Sequence, residues 1–166
     1  MTTTDVPERT SNTDHLHLSR LDRAMNATVR GLAHAGISIQ GTRVLAVRGR
    51  NSGEWRTVVL NPITVDGVRY LVAPRGETQW VRNLRVAGEG ELRLGRRVES
   101  FTATEVPVAD RAPVLRAYLA AYGWSAGRYF AVDAASNADE MAAASPDHPV
   151  FRLGRGRAHR GPAGQG

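Results

Sequence analysis

Arg56-Thr57-Val58-Val59-Leu60-Asn61-Pro62-Ile63-Thr64-Val65-Asp66-Gly67-Val68-Arg69-Tyr70-Leu71-Val72-Ala73 decides the fold class. Two runs rich in β-branched and apolar residues meet at a single Asp-Gly pair, a strong signal for a tight hairpin turn. The stretch reads as two antiparallel strands, Arg56 to Val65 and Val68 to Ala73. Each end of this hairpin carries a basic turn. Before it stands Gly49-Arg50-Asn51-Ser52-Gly53-Glu54-Trp55-Arg56-Thr57, and after it Ala73-Pro74-Arg75-Gly76-Glu77-Thr78-Gln79-Trp80-Val81-Arg82-Asn83-Leu84. If the two turns meet in space, they make a site for a phosphate-bearing ligand.

Outward from the hairpin the chain stays rich in short strands. Arg43 to Val47 is a β-branched and apolar run, and Thr78 to Val86 reads as a short helix ending before Gly88. Leu92 and Leu94 alternate with Glu91 and Arg93 up to a turn at Gly95, and Val98 to Val106 completes a second hairpin around Phe101. Short, closely spaced, hairpin-linked strands predict a small antiparallel barrel. Val114, Leu115, Tyr118, Leu119 and Tyr122 place a helix over Ala112 to Tyr122, stopped by Gly123. Asn137 to Ala144 is a second short helix and Pro149 to Leu153 a last strand. Near the N-terminus, Leu18, Leu21, Met25, Val29 and Leu32 recur at helical spacing. That helix either packs on the domain, covers a pocket or rests on a membrane surface. The fold class is α+β, mainly β. Residues 1–16 are expected to be a disordered arm, 17–153 one domain, and 154–166 a disordered basic tail.

Composition narrows the function classes. At 166 residues and 42 % apolar content, one domain with one core is expected. No apolar run approaches the ~18 residues of a membrane span. The polar stretch Met1 to Thr13 lacks the apolar region of a secretory signal. The absence of cysteine removes disulfides, thiolate chemistry and Cys-based metal sites. A cytoplasmic location is expected, with peripheral membrane contact through the N-terminal helix as the alternative. Every basic residue is Arg, a bias that fits a GC-rich genome. Between Gly41 and Arg97 eleven Arg face five acids, so an excess equal to the whole net charge of +6 falls on the segment with both basic turns. Such a field favours an anionic ligand, nucleic acid or an anionic membrane. No nucleic-acid fold motif accompanies the Arg-rich tail, so no specific nucleic-acid partner is expected.

In the first turn, Gly49 and Gly53 permit close approach of a ligand to the main chain. Arg50 and Arg56 are able to hold phosphate or carboxylate by two bonds each, and Asn51 and Ser52 add short donors. An ordinary hairpin turn with solvated arginines explains the same residues equally well. The pattern is neither a P-loop nor a dinucleotide fingerprint. In the second turn, Pro74-Arg75-Gly76 leads into a helix N-terminus, whose free N–H groups attract anions. Trp80 and Asn83 share a face of that helix. Taken alone, Trp80 reads as core and Asn83 as the cap of a neighbouring loop. His15, His17, His34, His148 and His159 are too scattered for a metal centre, and no nucleophile elbow is present. Asp139 and Glu140 read as an exposed helical patch.

In order and spacing, Gly49, Arg50, Ser52, Gly53 and Arg56, then Ala73, Arg75 and Gly76, then Trp80, Asn83 and Leu84 resemble the deazaflavin-dependent nitroreductase family, over Thr42 to Phe151. The resemblance implies a split β-barrel that binds the deazaflavin coenzyme F420. It implies hydride transfer to a small-molecule electrophile: a quinone, a nitro compound or an activated enone. Arg50, Asn51, Ser52, Gly53 and Arg56 would hold the cofactor's phosphate and acidic tail. Thr57, Val58, Val59 and Leu60 would lie along the ring through their backbone. Ala73, Pro74, Arg75 and Gly76 would contact the phosphate region, and Trp80 and Asn83 would shape the adjoining wall. Tyr118 and Tyr122 resemble the tyrosines that cover the family's substrate pocket, with core packing as the alternative. No catalytic acid or base is required. Asn51 stands where many members have Lys, Val59 where many have Pro, and the spacing from Gly76 to Trp80 is short. Split barrels also serve flavin oxidases, so FMN is the alternative cofactor. A non-enzymatic barrel for fatty acid or haem is a third reading. By analogy of fold, a homodimer is expected.

Overall fold

A computed structural model describes residues 41–156. These lie within Ile37–Gly166, the second of the two units into which the chain divides. The expected arm, the N-terminal helix and the far part of the basic tail fall outside the described residues.

The β-branched runs form seven strands: β1 (Arg43–Arg48), β2 (Trp55–Leu60), β3 (Ile63–Val65), β4 (Val68–Val72), β5 (Glu89–Leu94), β6 (Arg97–Glu105) and β7 (Val150–Arg155). They make one curled sheet in the order β2-β1-β5-β6-β7-β4-β3, with every neighbouring pair antiparallel. The helices are α1 (Gln79–Ala87), α2 (Ala112–Ala126) and α3 (Ala138–Ala144). The architecture is the mainly-β, split-barrel α+β class expected from the sequence. Among the described residues no helix is long and apolar enough to cross a membrane.

Local chemistry explains most of the boundaries. Asp66 and Gly67 have φ of 49° and 76°, the paired positive angles of a two-residue hairpin turn, and set Val65 opposite Val68. The run Arg56 to Val65 is not one strand, because Asn61-Pro62 divides it into β2 and β3. Pro62 has no N–H to give to a ladder. Gly88, with φ of 66°, closes α1 by donating its N–H to the Leu84 carbonyl at 2.8 Å. Gly123 does not stop α2, which runs one turn further and buries Ala126. An interior glycine costs only about 1 kcal/mol relative to alanine, which tertiary packing overrides. Asn137 and Glu140 cap α3 reciprocally, through bonds of 2.9 and 3.0 Å. The last strand extends two residues beyond Leu153, and Gly154 makes this close approach to β6 feasible. A Cβ there would lie 2.7 Å from Thr102 Oγ1.

Alternation sends successive strand residues to opposite faces. On the inner face Leu45, Val47, Leu71, Leu92, Phe101 and Phe151 surround Val81 and Leu84 of α1, which thus fills the curl of the sheet. On the other face Ile63, Val72 and Val150 pack under Val114, Leu115 and Leu119 of α2. Leu71 and Val72 are therefore both buried although they point in opposite directions. Burying a side chain such as Leu84 contributes about 2 kcal/mol. The packing of α1 matters doubly, because α1 also carries the end of the second basic turn.

Candidate functional site

The first turn is built by its own backbone. Gly49 N–H donates to the Glu54 carbonyl and Gly53 N–H to the Gly49 carbonyl, each at 2.8 Å. Gly53 has φ of 68°, a conformation that glycine adopts without strain. A Cβ on Gly49 would sit 3.1 Å from Ser52 Oγ and 3.3 Å from the Glu54 carbonyl. Asn51 and Ser52 are exposed at the tip. Arg56 is 60 % exposed and meets Glu54 at 3.4 Å, a contact weak enough to be exchanged for another anion.

Asn83 joins this turn to α1. It is 5 % exposed, and its Oδ1 accepts the backbone N–H of Arg50 at 3.2 Å and Arg50 Nη1 at 3.0 Å. Arg50 Nη1 also donates to Gln79 Oε1 at 2.9 Å. The two stretches at the ends of the hairpin thus meet, at Asn83. Arg50 acts as the strut between them through Nη1, while the residue itself is exposed. Trp80 is half-buried, with its ring centroid 5.9 Å from that of Phe151.

The second turn is folded back on itself and braced from behind. Gly76 N–H donates to the Ala73 carbonyl at 3.1 Å, Thr78 N–H to the Gly76 carbonyl at 2.8 Å, and Ala73 N–H to the Pro149 carbonyl at 2.9 Å. Gly76 has φ of 71°, and a Cβ on it would lie 3.0 Å from the Asp147 carbonyl. Thr78 occupies the N-cap of α1 but makes no side-chain cap bond. The first N–H groups of the helix therefore receive no bond from the N-cap side chain. Arg75 has no carboxylate partner among the described residues, and its Nη2 donates to the Tyr129 hydroxyl at 2.8 Å. Pro74 is half-buried beside it, and Ala73 belongs to the inner core.

β2 forms one edge of the sheet, and Thr57, Val58, Val59 and Leu60 pair only with β1 among the described strands. Among the described residues no second strand pairs with their outward backbone groups. Val58 and Leu60 lean on the inner core.

Tyr118 and Tyr122 lie with α2 in the other core, away from α1. Tyr118 is 5 % exposed, and burial followed by the influence of Tyr122 pushes its hydroxyl up to about 12. The rings are 5.2 Å apart. Tyr122 is half-buried and donates to the Pro62 carbonyl at 3.3 Å.

Three features of the region were not singled out in the sequence. Tyr129 gathers Arg75 and Arg128 around one oxygen. His148, 6 % exposed, stacks on Phe130 at 3.9 Å behind the second turn, with Nδ1 buried and unpartnered. Burial lowers its pKa, while the backbone of Ala73, Asp147 and the backbone of Pro74 pull it partly back. Arg111, also 6 % exposed, holds the Val106 and Ser145 carbonyls and Glu105. Glu105 in turn binds Arg85, which binds Glu77 in the second turn at 2.7 Å. Hydrogen bonds from Arg85 hold the Glu77 carboxyl below its ordinary pKa. No spacing rule marks these residues, because each acts through partners distant in sequence. Among the described residues no group of three acidic or histidine side chains is arranged to hold a metal ion.

The profile of the F420H2-dependent quinone reductase family matches residues 18–131. Comparison with curated proteins finds no match. Among solved structures, the chain is similar to an F420-H2 dependent reductase, FDR-A, with a TM-score of 0.50 and 19 % identity, over 72 % of this chain and 100 % of that one. It is also similar to a protein of unknown function from Agrobacterium tumefaciens str. C58. There the TM-score is 0.51 and the identity 21 %, over 68 % of this chain and 47 % of that one. At such identities the structural likeness bears on the fold.

Proposed function

The chain belongs to the F420H2-dependent quinone reductase family, and we propose that it binds F420 at the junction of the two basic turns and reduces a small electrophile. A quinone is the first candidate, with nitro compounds and activated enones as further substrates. The observation that carries this reading is the clamp from Arg50 to Asn83 and Gln79, which ties the first basic turn to α1, the helix that follows the second. The residues there fit an anionic cofactor. Arg75 lacks a carboxylate partner among the described residues, and α1 has no side-chain cap. Gly76 leaves no room for a side chain, because a Cβ would lie 3.0 Å from the Asp147 carbonyl.

When bound, reduced F420 supplies the hydride. The residues of this chain supply position and field. Arg75 and the first N–H groups of α1 would hold the phosphate, and Arg56, Asn51 and Ser52 the acidic tail. The free edge of β2 would offer backbone bonds to the ring, and Trp80 would form the wall beside it. Arg50 serves as the strut through Nη1, and its Nε and Nη2 would join Arg56 and the exposed donors of the first turn on the anionic tail.

Titration of the protein with F420 and FMN side by side, followed by assay of reduced F420 with menadione, tests the reading. Saturable binding of F420 in the micromolar range or tighter, weak binding of FMN and menadione-dependent reoxidation are expected. Tight binding of FMN alone would assign the other flavin-like cofactor.

A further inference from the structure

Tyr129 stands just after α2, and its hydroxyl oxygen accepts Arg75 Nη2 at 2.8 Å and Arg128 Nη2 at 2.9 Å. Both guanidiniums also lie over its ring, 4.9 and 4.8 Å from the centroid. A phenol has one proton to give and lone pairs to receive with. When two donors occupy the oxygen, its own O–H is left directed away from them. Neither Arg75 nor Arg128 pairs with a carboxylate among the described residues, and Arg75 meets the oxygen through Nη2, which leaves its other nitrogens to the phosphate. The ring is half-buried, and the hydroxyl lies where water reaches it. Hydrogen bonds from Arg128 and then Arg75 lower its pKa, whereas burial raises that of Tyr118 to about 12. Two tyrosines of one domain are thus pushed in opposite directions, a pattern that separates an acid from a structural residue. Because Arg75 belongs to the second turn, the hydroxyl is fixed at the rim of the candidate site.

The geometry points to Tyr129 as the proton source of the reduction, with Arg75 and Arg128 holding its conjugate base. This rests on the reductase reading given above. A quinone that takes a hydride gains two electrons and one hydrogen, and an oxygen of the product is left as an anion. That anion takes the Tyr129 proton: the phenolic O–H bond breaks and an O–H bond forms on the product. The tyrosinate remains between the two guanidiniums and regains a proton from water. Hydride and proton together convert quinone to hydroquinone, so atoms and charges balance.

The first measurement needs no cofactor. Ultraviolet difference titration of phenolate absorbance is expected to show one tyrosine ionising below the others. That component should vanish in Tyr129→Phe and move to higher pH in Arg128→Ala. With cofactor present, Tyr129→Phe should bind F420 within about twofold of the parent, while quinone turnover falls about 100-fold, the scale of a general acid. The parent rate should fall as pH rises through the Tyr129 ionisation, and that limb should be absent in Tyr129→Phe. Ionisation of Tyr129 together with the other tyrosines overturns the assignment, as does unchanged turnover in Tyr129→Phe. Failure of the parent to bind F420 overturns the reductase reading and the proton assignment with it. Normal F420 binding with unchanged Tyr129→Phe turnover overturns the assignment alone.

Discussion

Asn83 shows how a single buried amide organises the candidate site. Both hydrogen bonds to its Oδ1 come from Arg50, and each contributes about 1 kcal/mol net. Asn83→Leu keeps the branching of the side chain and removes the acceptor. F420 affinity should fall about tenfold, the equivalent of ~1.4 kcal/mol, with a small loss of stability, as read by paired binding and urea-melting curves. His148 permits a pH prediction. Its folded pKa lies below the ordinary 6.5, so the unfolded chain binds the extra proton first. The stability that the neutral imidazole contributes is complete above about pH 6.5 and is lost as pH falls below it toward the folded value. Thermal melts between pH 7 and 5 should show this loss, and His148→Phe should reduce it. The glycine–arginine motifs were legible because small and basic residues cluster at fixed spacings. The partnership of Arg75 with Tyr129 was not, since 54 positions separate them and only the fold brings them together.

Among the elements, α1 fills the inner curl and presents its N-terminus to the site. Leu84→Ala should destabilise the protein by about 2–5 kcal/mol, measured by chemical denaturation. Gly76→Ala places a side chain at positive φ and 3.0 Å from the Asp147 carbonyl. A cost of about 1–3 kcal/mol is expected, together with weaker F420 binding, since the turn must shift. Element types were legible where the signals are local, as in the Asp66-Gly67 turn and the alternation around Phe101. The signal at Gly123 misleads, because an interior glycine costs only about 1 kcal/mol and the helix continues one turn to bury Ala126. The last strand passes the expected end at Leu153 for the related reason that Gly154 packs against Thr102, a tertiary fact.

At the scale of the molecule, hairpin pairs follow from short-range sequence, but the placing of β7 between β6 and β4 does not. That order depends on pairing across long separations, to which periodicity is blind. The charge excess between Gly41 and Arg97 was legible, and the fold sets the Arg50 turn against α1, the helix that follows the Arg75 turn. F420 binding should therefore weaken with ionic strength, because the site is partly exposed and salt screens it. The central claim is that these turns together form one cofactor site. A double-mutant cycle of Arg75→Ala and Arg56→Ala, with F420 affinity as the readout, tests it most directly. Each single change is expected to weaken binding about tenfold or more, and the double variant should lose nearly all affinity while keeping the parent's melting behaviour. Saturable F420 binding that is unchanged in the double variant would contradict the account.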